Sequence, residues 1–449
     1  MEKLTLTQVV AGLTSGELTA VQLTAAALAQ IADDQGEGSR TFTHVYSDWA
    51  QQQALAADRR RAAGDPLSTL DGVPVSVKDL FDVAGEVTTA GSRVLADAPV
   101  ANRHSAVVAR LLQAGAVVIG KTNMTEFAYS GLGINPHYGT PANPWDRSAR
   151  RIPGGSSSGA AVAVADGMCW GAIGSDTGGS VRIPAAFCGL TGYKPTARRI
   201  SSHGLLPLSP SLDSIGVIAH DVAGCIALDA AIADLPLHPQ QKTLSQARFA
   251  VPQTLVLDGL DDEVTAAFHL SVQRLVQAGA QIEFIPCHEF GELATINAAG
   301  GFSALESWRW HQPLIAEHAD GYDPRVLSRI RRGQWLNEQD LQQLQLLRAD
   351  WQRRVTAVVQ GFDALLMPTV PMVAPTIAEL EADEDAYFRI NGAALRNPSV
   401  INFLDGCALS LPCQSPGAAP VGLMLAGLPL QDETLLGWAL AIERCLTEV

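Results

Sequence analysis

The segment from Arg151 to Pro195 constrains the fold more than any other part of the chain. It reads RIPGGSSSGAAVAVADGMCWGAIGSDTGGSVRIPAAFCGLTGYKP, in which two loops rich in glycine and serine flank a small-residue helix and a short apolar strand. Glycine loses the most backbone freedom on folding, so glycines are concentrated where the backbone needs close approach or a positive φ. One helix and one strand between the loops return the chain to the same end of a sheet. The segment therefore predicts two hydroxyl-bearing loops that lie side by side.

The rest of the chain predicts an α/β fold. β-branched runs at Val73–Val77 and Ala116–Gly120 alternate with helical patterns at Ser47–Ala63 and, more briefly, Asn123–Tyr129. Residues 248–285 read as a strand–helix–strand unit. Because strands and helices interleave throughout, we expect a mixed central β-sheet with helices on both faces.

The amino-acid composition indicates which kinds of binding partner and which cellular compartment to expect. The formal net charge is −15, which argues against direct binding of nucleic acid, because that binding relies on clustered Lys and Arg. The seven cysteines contain no CxxC pair and read as buried thiols. No run approaches the roughly 18 apolar residues of a membrane span, and residues 1–20 lack a secretory signal pattern. We therefore expect a cytoplasmic protein that does not bind membranes.

Two familiar motifs match the chain in the wrong context. Gly115–Thr122 fits the GxxxxGK[ST] phosphate loop, but the β-branched strand lies inside the motif, so nothing is left to curl round a phosphate. Gly155–Gly159 fits the GxSxG nucleophile elbow, which needs a buried strand just before the serine. The preceding residues, Asp146–Arg151, are too polar for such a strand, so both interpretations are disfavoured.

A Ser–Ser–Lys arrangement fits the sequence better. Lys78 ends the apolar run VPVSVK, where desolvation should lower its pKa toward neutrality and make it a usable base. Ser156 and Ser180 supply hydroxyls from the two loops. Gly178 and Gly179 place unobstructed N–H groups just before Ser180, which suits an oxyanion hole. Taken alone, Lys78 is more typical of a surface lysine at a strand end, because lysine is rarely buried without a partner.

These motifs resemble the amidase signature family of serine hydrolases. The family carries a lysine after an apolar strand, a GGSS loop and a D-x-G-G-S-x-R turn, in that order. The chain shows VSVKDLFDV, GKTNMTEFA, NPWDRSARRIPGGSSSGAAVAVADG and GSDTGGSVRIPAAFCGLTGYKPT, and the looser DALLMPTVPMVAPT and RNPSVINFLDGCALSLP. The resemblance implies a single amidase signature domain over 1–449, with an N-terminal helical segment at 1–65, a signature core at 70–216 and a variable substrate-pocket region at 237–362.

The resemblance also assigns expected roles to residues. Ser180 is similar to the family's nucleophile, Lys78 to its ultimate base and Ser156 to a bridging serine that follows a cis peptide bond. The family's oxyanion hole corresponds to the N–H groups of Thr177, Gly178, Gly179 and Ser180. Asp176 and Arg182 resemble supporting residues, with an ordinary ion pair as the alternative, and Ser157 or Ser158 could carry secondary hydrogen bonds. No metal or organic cofactor is implied.

The resemblance implies an amidohydrolase that cleaves a small-molecule carboxamide through an acyl-enzyme. Two alternatives stay open: the amidase subunit of a glutamine-dependent tRNA amidotransferase, which needs partner chains, and a catalytically silent assembly subunit. The sequence also leaves a homodimer open. Substrate contacts are expected from Tyr129, Gly131 and Gly133, where family pockets are lined.

Two further features have no assigned role in the sequence. The basic run Arg325–Arg332 is typical of a solvated helix face, and its alternative is a pocket cap for anionic substrate groups. Trp308, Trp310, Tyr322 and Trp335 could enclose an apolar substrate group, although aromatic residues at this spacing are more often core.

Overall fold

The computed structural model describes residues 4–447, so residues 1–3 and 448–449 of the predicted 1–449 domain lie outside the described residues. Within that range a single sheet has the strand order β1-β3-β2-β4-β6-β5-β10-β11-β9-β7-β8. The strands are β1 Phe42–Val45, β2 Pro74–Lys78, β3 Val117–Thr122, β4 Gly171–Asp176, β5 Thr191–Lys194, β6 Ser214–Ala219, β7 Arg248–Pro252, β8 Gln281–Ile285, β9 Ala364–Pro368, β10 Cys407–Pro412 and β11 Gly422–Gly427.

The sheet is mixed, as predicted. Strand β2 pairs in parallel with both β3 and β4, and β7 pairs in parallel with both β8 and β9. The remaining neighbours, including β4 with β6, are antiparallel. Because β2 and β4 are parallel neighbours, their carboxyl ends lie at the same edge, and the residues there can share one site.

The α-helices fill the connections between strands. They are α1 Leu6–Ser15, α2 Ala20–Ile31, α3 Gly38–Thr41, α4 Ser47–Ala62, α5 Ala106–Gln113, α6 Ser158–Ala165, α7 Arg182–Cys188, α8 Val222–Ile232, α9 Asp262–Gln277, α10 His288–Ile296, α11 Gly301–His318, α12 Pro324–Arg331, α13 Glu338–Val359, α14 Ile377–Ala382, α15 Glu384–Phe403 and α16 Asp432–Thr447. Helix α6 is buried at every position, which explains its run of Ala, Val and Gly without an amphipathic pattern.

Helices cover both faces of the sheet, and two glycines of β4 show this directly. A Cβ atom on Gly171 would lie 2.7 Å from Leu228 of α8, whereas a Cβ on Gly174 would lie 2.7 Å from the hydroxyl of Ser157 at the start of α6. Residues three apart in a strand point to opposite faces. Helices α6 and α8 therefore pack closely on opposite sides of the same strand, and the small glycines permit that approach.

Most predicted elements are present, with two kinds of difference. The helix predicted over Asn123–Tyr129 is wrong: only a 3-10 turn at Glu126–Ala128 forms there, because Phe127 and Ala128 have φ values of 50° and 60°. Left-handed backbone at two successive residues cannot continue a right-handed helix. Strands β1, β5 and β6 have no counterpart in the sequence interpretation, and in β1 and β5 the segments FTHV and TGYK carry little apolar alternation.

The structure also shows the local conformation of the two sequence motifs that were disfavoured, the phosphate loop and the nucleophile elbow. Gly115–Thr122 runs directly into β3, and Lys121 is buried in an ion pair with Asp79 at 3.0 Å, so its ammonium is unavailable to a phosphate. Before Gly155, the backbone forms a 3-10 turn at Arg147–Ala149 and no buried strand. Neither the phosphate loop nor the nucleophile elbow is present in these described segments.

Other sequence expectations can be compared within the described range. Five of the seven cysteines are buried and the other two are half-buried, as predicted. In residues 4–447, no helix is both long and apolar enough to cross a bilayer. Over the same residues, no cluster of three or more His, Cys, Asp or Glu side chains has the arrangement of a metal site.

Candidate active site

Lys78 lies at the carboxyl end of β2 and is completely buried. Its Nζ donates hydrogen bonds to Ser156 Oγ at 2.6 Å and to Ser175 Oγ at 2.9 Å. Ser175 belongs to the neighbouring parallel strand β4, so the strand pairing itself brings the second hydroxyl to the amine. The alternative of an exposed lysine at a strand end is excluded by this burial.

Burial lowers the pKa of Lys78 to about 7, because removal from water disfavours the ammonium. The negative charges of Asp176 and Asp213 act in the opposite direction and moderate that effect. Near neutral pH a large share of Lys78 is therefore an uncharged amine that can accept a proton.

Ser156 is fixed in a tight backbone loop. The Gly155–Ser156 peptide bond is cis, as the family resemblance implied. The Gly155 N–H donates to the carbonyl of Gly131 at 2.8 Å, and Ser156 O accepts from the Thr125 N–H at 3.0 Å. One residue on, the Ser157 N–H donates to Ser180 O at 3.2 Å. This backbone hydrogen bond joins the GGSSS loop directly to the residue predicted to be the nucleophile.

A buried carboxylate organises the turn that carries Ser180. Asp176 accepts hydrogen bonds from the backbone N–H groups of Gly179, Val181 and Arg182 and a two-pronged pair from the Arg182 guanidinium. Burial alone would raise the pKa of Asp176, but the Arg182 charge and these hydrogen bonds hold it below its ordinary value. Asn402 donates to Asp176 as well and accepts from Arg182. Asp176 and Arg182 thus form a buried ion pair that also fixes the turn.

The four residues whose N–H groups were predicted to form an oxyanion hole do not all face the same way. Three of them line the cavity, and the N–H group of the fourth, Gly179, points to Asp176. The Gly179 N–H donates to Asp176 Oδ1 at 2.8 Å, so in this structure it faces the carboxylate instead of the predicted oxyanion. Gly179 has a φ of 123°, and a Cβ there would lie 2.6 Å from Pro398 and 2.7 Å from Ile183. The turn therefore requires glycine at position 179, because a side chain there would clash with Pro398 and Ile183. Thr177, Gly178 and Ser180 line the adjacent cavity.

Thr177 links the turn to a second, half-buried carboxylate, Asp213, which the sequence interpretation missed. Its hydroxyl donates to Asp213 Oδ1 at 2.6 Å. Burial raises the pKa of Asp213 to about 7, with the nearby charge of Glu306 adding to it, although hydrogen bonds from Thr177 and from the N–H groups of Leu208 and Ser209 oppose the rise. Asp213 and Lys78 thus titrate in the same pH range and influence each other.

A cavity of about 390 Å³ opens beside Ser180. This volume suits a small organic ligand. Of the three predicted substrate contacts, Tyr129 lines the cavity. Gly131 and Gly133 instead serve the backbone: the Gly131 N–H donates to Asn391, and a Cβ on Gly133 would lie 2.3 Å from Gly154 O. The predicted closeness at Gly133 is therefore an approach to the GGSSS loop.

The arginines of the basic run Arg325–Arg332 lie in different environments. Arg331 and Arg332 are both exposed, and Arg325 pairs with Asp323 at 3.1 Å. Arg332 and the half-buried Arg329 line the cavity, whereas Arg331 does not.

None of the four aromatic residues that the sequence singled out, Trp308, Trp310, Tyr322 and Trp335, lines the cavity. Tyr322 is buried in the core beside Phe127 and Trp308 packs partly against that core, as the core interpretation predicts. Trp310 and Trp335 are exposed, so the core interpretation is wrong for these two.

Other residues of the site also escaped sequence reasoning. Ser175 had a usable signal, because it lies on β4 within the same motif as Ser180. Asn402 lies in the looser motif RNPSVINFLDGCALSLP, but that motif did not indicate its contact with Asp176, which lies 226 residues earlier and is reached only through the folding of α15 against the turn.

A buried amine of lowered pKa beside serine hydroxyls, next to a cavity of this size, has the chemistry needed to activate a hydroxyl group. Comparisons with known proteins give the class. The amidase family model matches residues 22–436, so the chain belongs to the amidase family and is a hydrolase that acts on amide bonds. This confirms the resemblance drawn from the motifs.

Relatives and a solved structure agree with that assignment. The 2-amino-5-chloromuconic acid deaminase of Comamonas testosteroni is 37% identical, over 94% of this chain and 93% of its own length. One glutamyl-tRNA(Gln) amidotransferase subunit of Chloroflexus aggregans is 35% identical, over 94% and 92%. A crystal structure of an amidase superposes with a TM-score of 0.88 at 30% identity, over 99% of this chain and all of that one.

Proposed function

We propose that this amidase cleaves a small-molecule carboxamide through a Ser180–Ser156–Lys78 relay and an acyl-enzyme. The observation that carries the proposal is the 2.6 Å hydrogen bond from the buried Lys78 amine to Ser156, one residue from the backbone contact with Ser180. A base of lowered pKa next to a hydroxyl relay is what activation of a serine requires.

In the proposed reaction Ser180 Oγ bonds to the carbonyl carbon of the amide, and its proton passes through Ser156 to neutral Lys78. The tetrahedral intermediate then collapses. The carbon–nitrogen bond breaks as the same proton returns through Ser156 to the leaving nitrogen, so that ammonia or an amine departs. Water next adds to the acyl-enzyme by the same relay, and the products are the carboxylic acid and free Ser180.

The developing oxyanion is best served by the N–H groups of Gly178 and Ser180, with Thr177 at the edge of the same turn. Each belongs to a residue that lines the cavity, and Asp176 holds the turn rigid through hydrogen bonds on its other side. Fixed donors of this kind cost no reorganisation when the charge appears. Gly179 contributes by its backbone conformation, since its own N–H donates to Asp176.

The covalent step predicts partitioning of the acyl group. Added hydroxylamine should divert the acyl-enzyme to a hydroxamate while the yield of carboxylic acid falls in proportion, because both nucleophiles compete for the same ester. The measurement is hydroxamate formed against hydroxylamine concentration, with any amide that turns over. Absence of hydroxamate at saturating hydroxylamine, together with absence of an acyl adduct on the Ser180 peptide in mass spectra, would contradict the acyl-enzyme.

The relay also predicts the direction of the pH dependence. Because Lys78 must be neutral to accept a proton, kcat/KM should rise with pH through an apparent pKa near 7, well below the ordinary value for lysine of about 10.4. Asp213 titrates in the same range, so the apparent pKa belongs to the coupled groups. The check is a profile of kcat/KM from pH 5 to 10. A rate that is flat below pH 9, or that falls as pH rises through 7, would contradict the base role.

A second candidate function is the amidase subunit of a tRNA amidotransferase. The 35% identity to the Chloroflexus aggregans protein favours it. In that case glutaminase activity should require partner chains. Release of ammonia from glutamine, measured with and without the partner subunits of a related amidotransferase, separates the two functions. A homodimer remains a prediction of the sequence.

A further inference from the structure

Three arginine side chains line the cavity beside Ser180. Arg329 and Arg332 come from the end of α12 and the turn after it, and Arg396 comes from α15. Among the described residues, none of these guanidinium groups lies in a salt bridge, and none of the residues that line the cavity is Asp or Glu. The cavity is therefore strongly cationic in a chain whose net charge is −15.

Arg396 has the negative charge of Asp258 nearby but no carboxylate within salt-bridge distance, unlike other arginines that are drawn into the interior of the protein. Arg182 pairs with Asp176, and Arg348 pairs with Asp405, each at 2.8 Å. A guanidinium that leaves water normally keeps a carboxylate partner, because the desolvation cost is otherwise uncompensated. Cations left unpaired together in one cavity point to an anion that arrives from outside.

Of the three arginines, Arg396 has a guanidinium nitrogen that is buried and lacks a hydrogen-bond acceptor among the described residues. Its Nε donates to Asn397 Oδ1 at 3.0 Å, and the nitrogen without an acceptor is a terminal one. Burial lowers its pKa, yet a guanidinium stays protonated at any usable pH. A buried donor left without an acceptor is costly, and a ligand oxygen would remove that cost.

The other two arginines of the cavity lining are less enclosed, since Arg329 is half-buried and Arg332 is exposed, and neither is held by a carboxylate. The Arg329 guanidinium lies 4.5 Å from the centre of the Tyr129 ring and donates to the Tyr129 carbonyl. Arg332 donates to the carbonyl of Ala298 at 3.1 Å. Neither contact involves a carboxylate, so neither neutralises the positive charge.

Arg396 and Gly178 line the same cavity, and the neighbours of Arg396 on α15 contact the turn of Ser180. Leu395 and Ser399 are the side chains nearest to Gly178, at 3.5 Å and 3.9 Å from an ideal Cβ there. Residues three or four apart share one helix face. Only a short ligand is needed to reach from the proposed oxyanion site at Gly178 to Arg396.

We propose that the substrate is a short amide that carries a carboxylate, such as the monoamide of a dicarboxylic acid, and that Arg396 binds this carboxylate with support from Arg329 and Arg332. The proposal rests on the amidohydrolase function above and adds its substrate class. Charged hydrogen bonds from guanidinium to carboxylate are strong and directional. Because no acidic side chain lines the cavity among the described residues, a substrate that also bears an ammonium group, such as glutamine, is disfavoured.

The first experiment compares three amides of equal chain length on the purified protein: glutaramate, which carries a carboxylate; pentanamide, which is neutral; and glutamine, which adds an ammonium. We expect kcat/KM for glutaramate to be roughly 100-fold higher than kcat/KM for pentanamide. We also expect it to be roughly tenfold or more higher than kcat/KM for glutamine. Equal or faster turnover of pentanamide would overturn the inference. Turnover of glutamine faster than that of glutaramate would overturn the exclusion of the ammonium group.

The second experiment substitutes Arg396→Gln and compares it with Arg331→Gln, which changes an exposed arginine of the basic run Arg325–Arg332 that does not line the cavity. Arg396→Gln should raise KM for glutaramate by roughly tenfold to 100-fold and leave kcat/KM for pentanamide within about threefold. Arg331→Gln should change neither value. A parallel loss on both amides would contradict a carboxylate-binding role and indicate a structural one.

Binding measured without turnover separates this inference from the proposed function. Glutaramate binding to the Ser180→Ala protein, measured by calorimetry, should weaken by at least tenfold when Arg396→Gln is added. If wild type hydrolyses no amide while this binding difference persists, the hydrolase proposal fails and the anion site stands. If wild type hydrolyses pentanamide through Ser180 and glutaramate binding is unaffected by Arg396→Gln, only the carboxylate inference fails.

Discussion

Replacing Ser180 by alanine should lower kcat/KM by about 10³-fold or more, because nucleophile and base act as a unit and neither is useful alone. The change removes one hydroxyl from a turn whose backbone is held by Asp176, so the fold should persist. The measurement is kcat/KM on any accepted amide, with far-ultraviolet circular dichroism and Tm as the test of folding. Activity within about tenfold of wild type would end the assignment of Ser180 as nucleophile.

A serine-directed fluorophosphonate probe provides the matching control. It should label wild type and Ser415→Ala, an exposed serine far along the chain, and should fail to label Ser180→Ala. Labelling of wild type without any turnover would indicate an active nucleophile whose substrate has not been supplied. Absence of labelling in folded wild type would favour the catalytically silent assembly subunit.

The sequence predicted the parts of the site that lie in one segment or at a strand end. The helix and strand between the two glycine-serine loops predicted that Ser156 and Ser180 lie side by side, and the Ser157 N–H to Ser180 O hydrogen bond joins those loops. The association of Lys78 with them came from its place after an apolar strand and from the family resemblance. Parallel pairing of β2 with β4 then accounts for the contact between Lys78 and Ser175. These positions depend on short-range geometry that glycine, strand and helix patterns describe well.

The rest of the site depends on contacts between distant parts of the chain. Asp213 reaches Thr177 across 36 residues and carries no local motif. Asn402 reaches Asp176 across 226 residues, and the weak motif RNPSVINFLDGCALSLP that contains it gives no sign of that contact. Arg396 was visible only as part of a weak motif, and its role depends on which face of α15 turns toward Gly178. The direction in which a backbone N–H group points cannot be read from the sequence either. For that reason the N–H of Gly179 was expected to face the oxyanion, whereas it donates to Asp176.

Replacing Lys78 by methionine should inactivate the enzyme to a similar extent, about 10³-fold or more in kcat/KM at neutral pH. Methionine keeps the length and apolar packing that the buried site requires but offers no base. Its remaining rate should climb steadily with pH, because hydroxide then takes the proton that the amine would have accepted. Wild type should instead level off above its apparent pKa near 7, so the two pH profiles should converge at high pH.

The Lys78→Arg variant distinguishes loss of the base from loss of the cation. A guanidinium preserves the positive charge and the donors to Ser156 and Ser175, yet it stays protonated at any usable pH, so the variant should be as inactive as Lys78→Met. If instead Lys78→Arg retained most of the activity while Lys78→Met lost it, the residue would act by its charge and hydrogen bonds alone. If both variants kept full activity, Lys78 would be only structural and the proton relay would need another base.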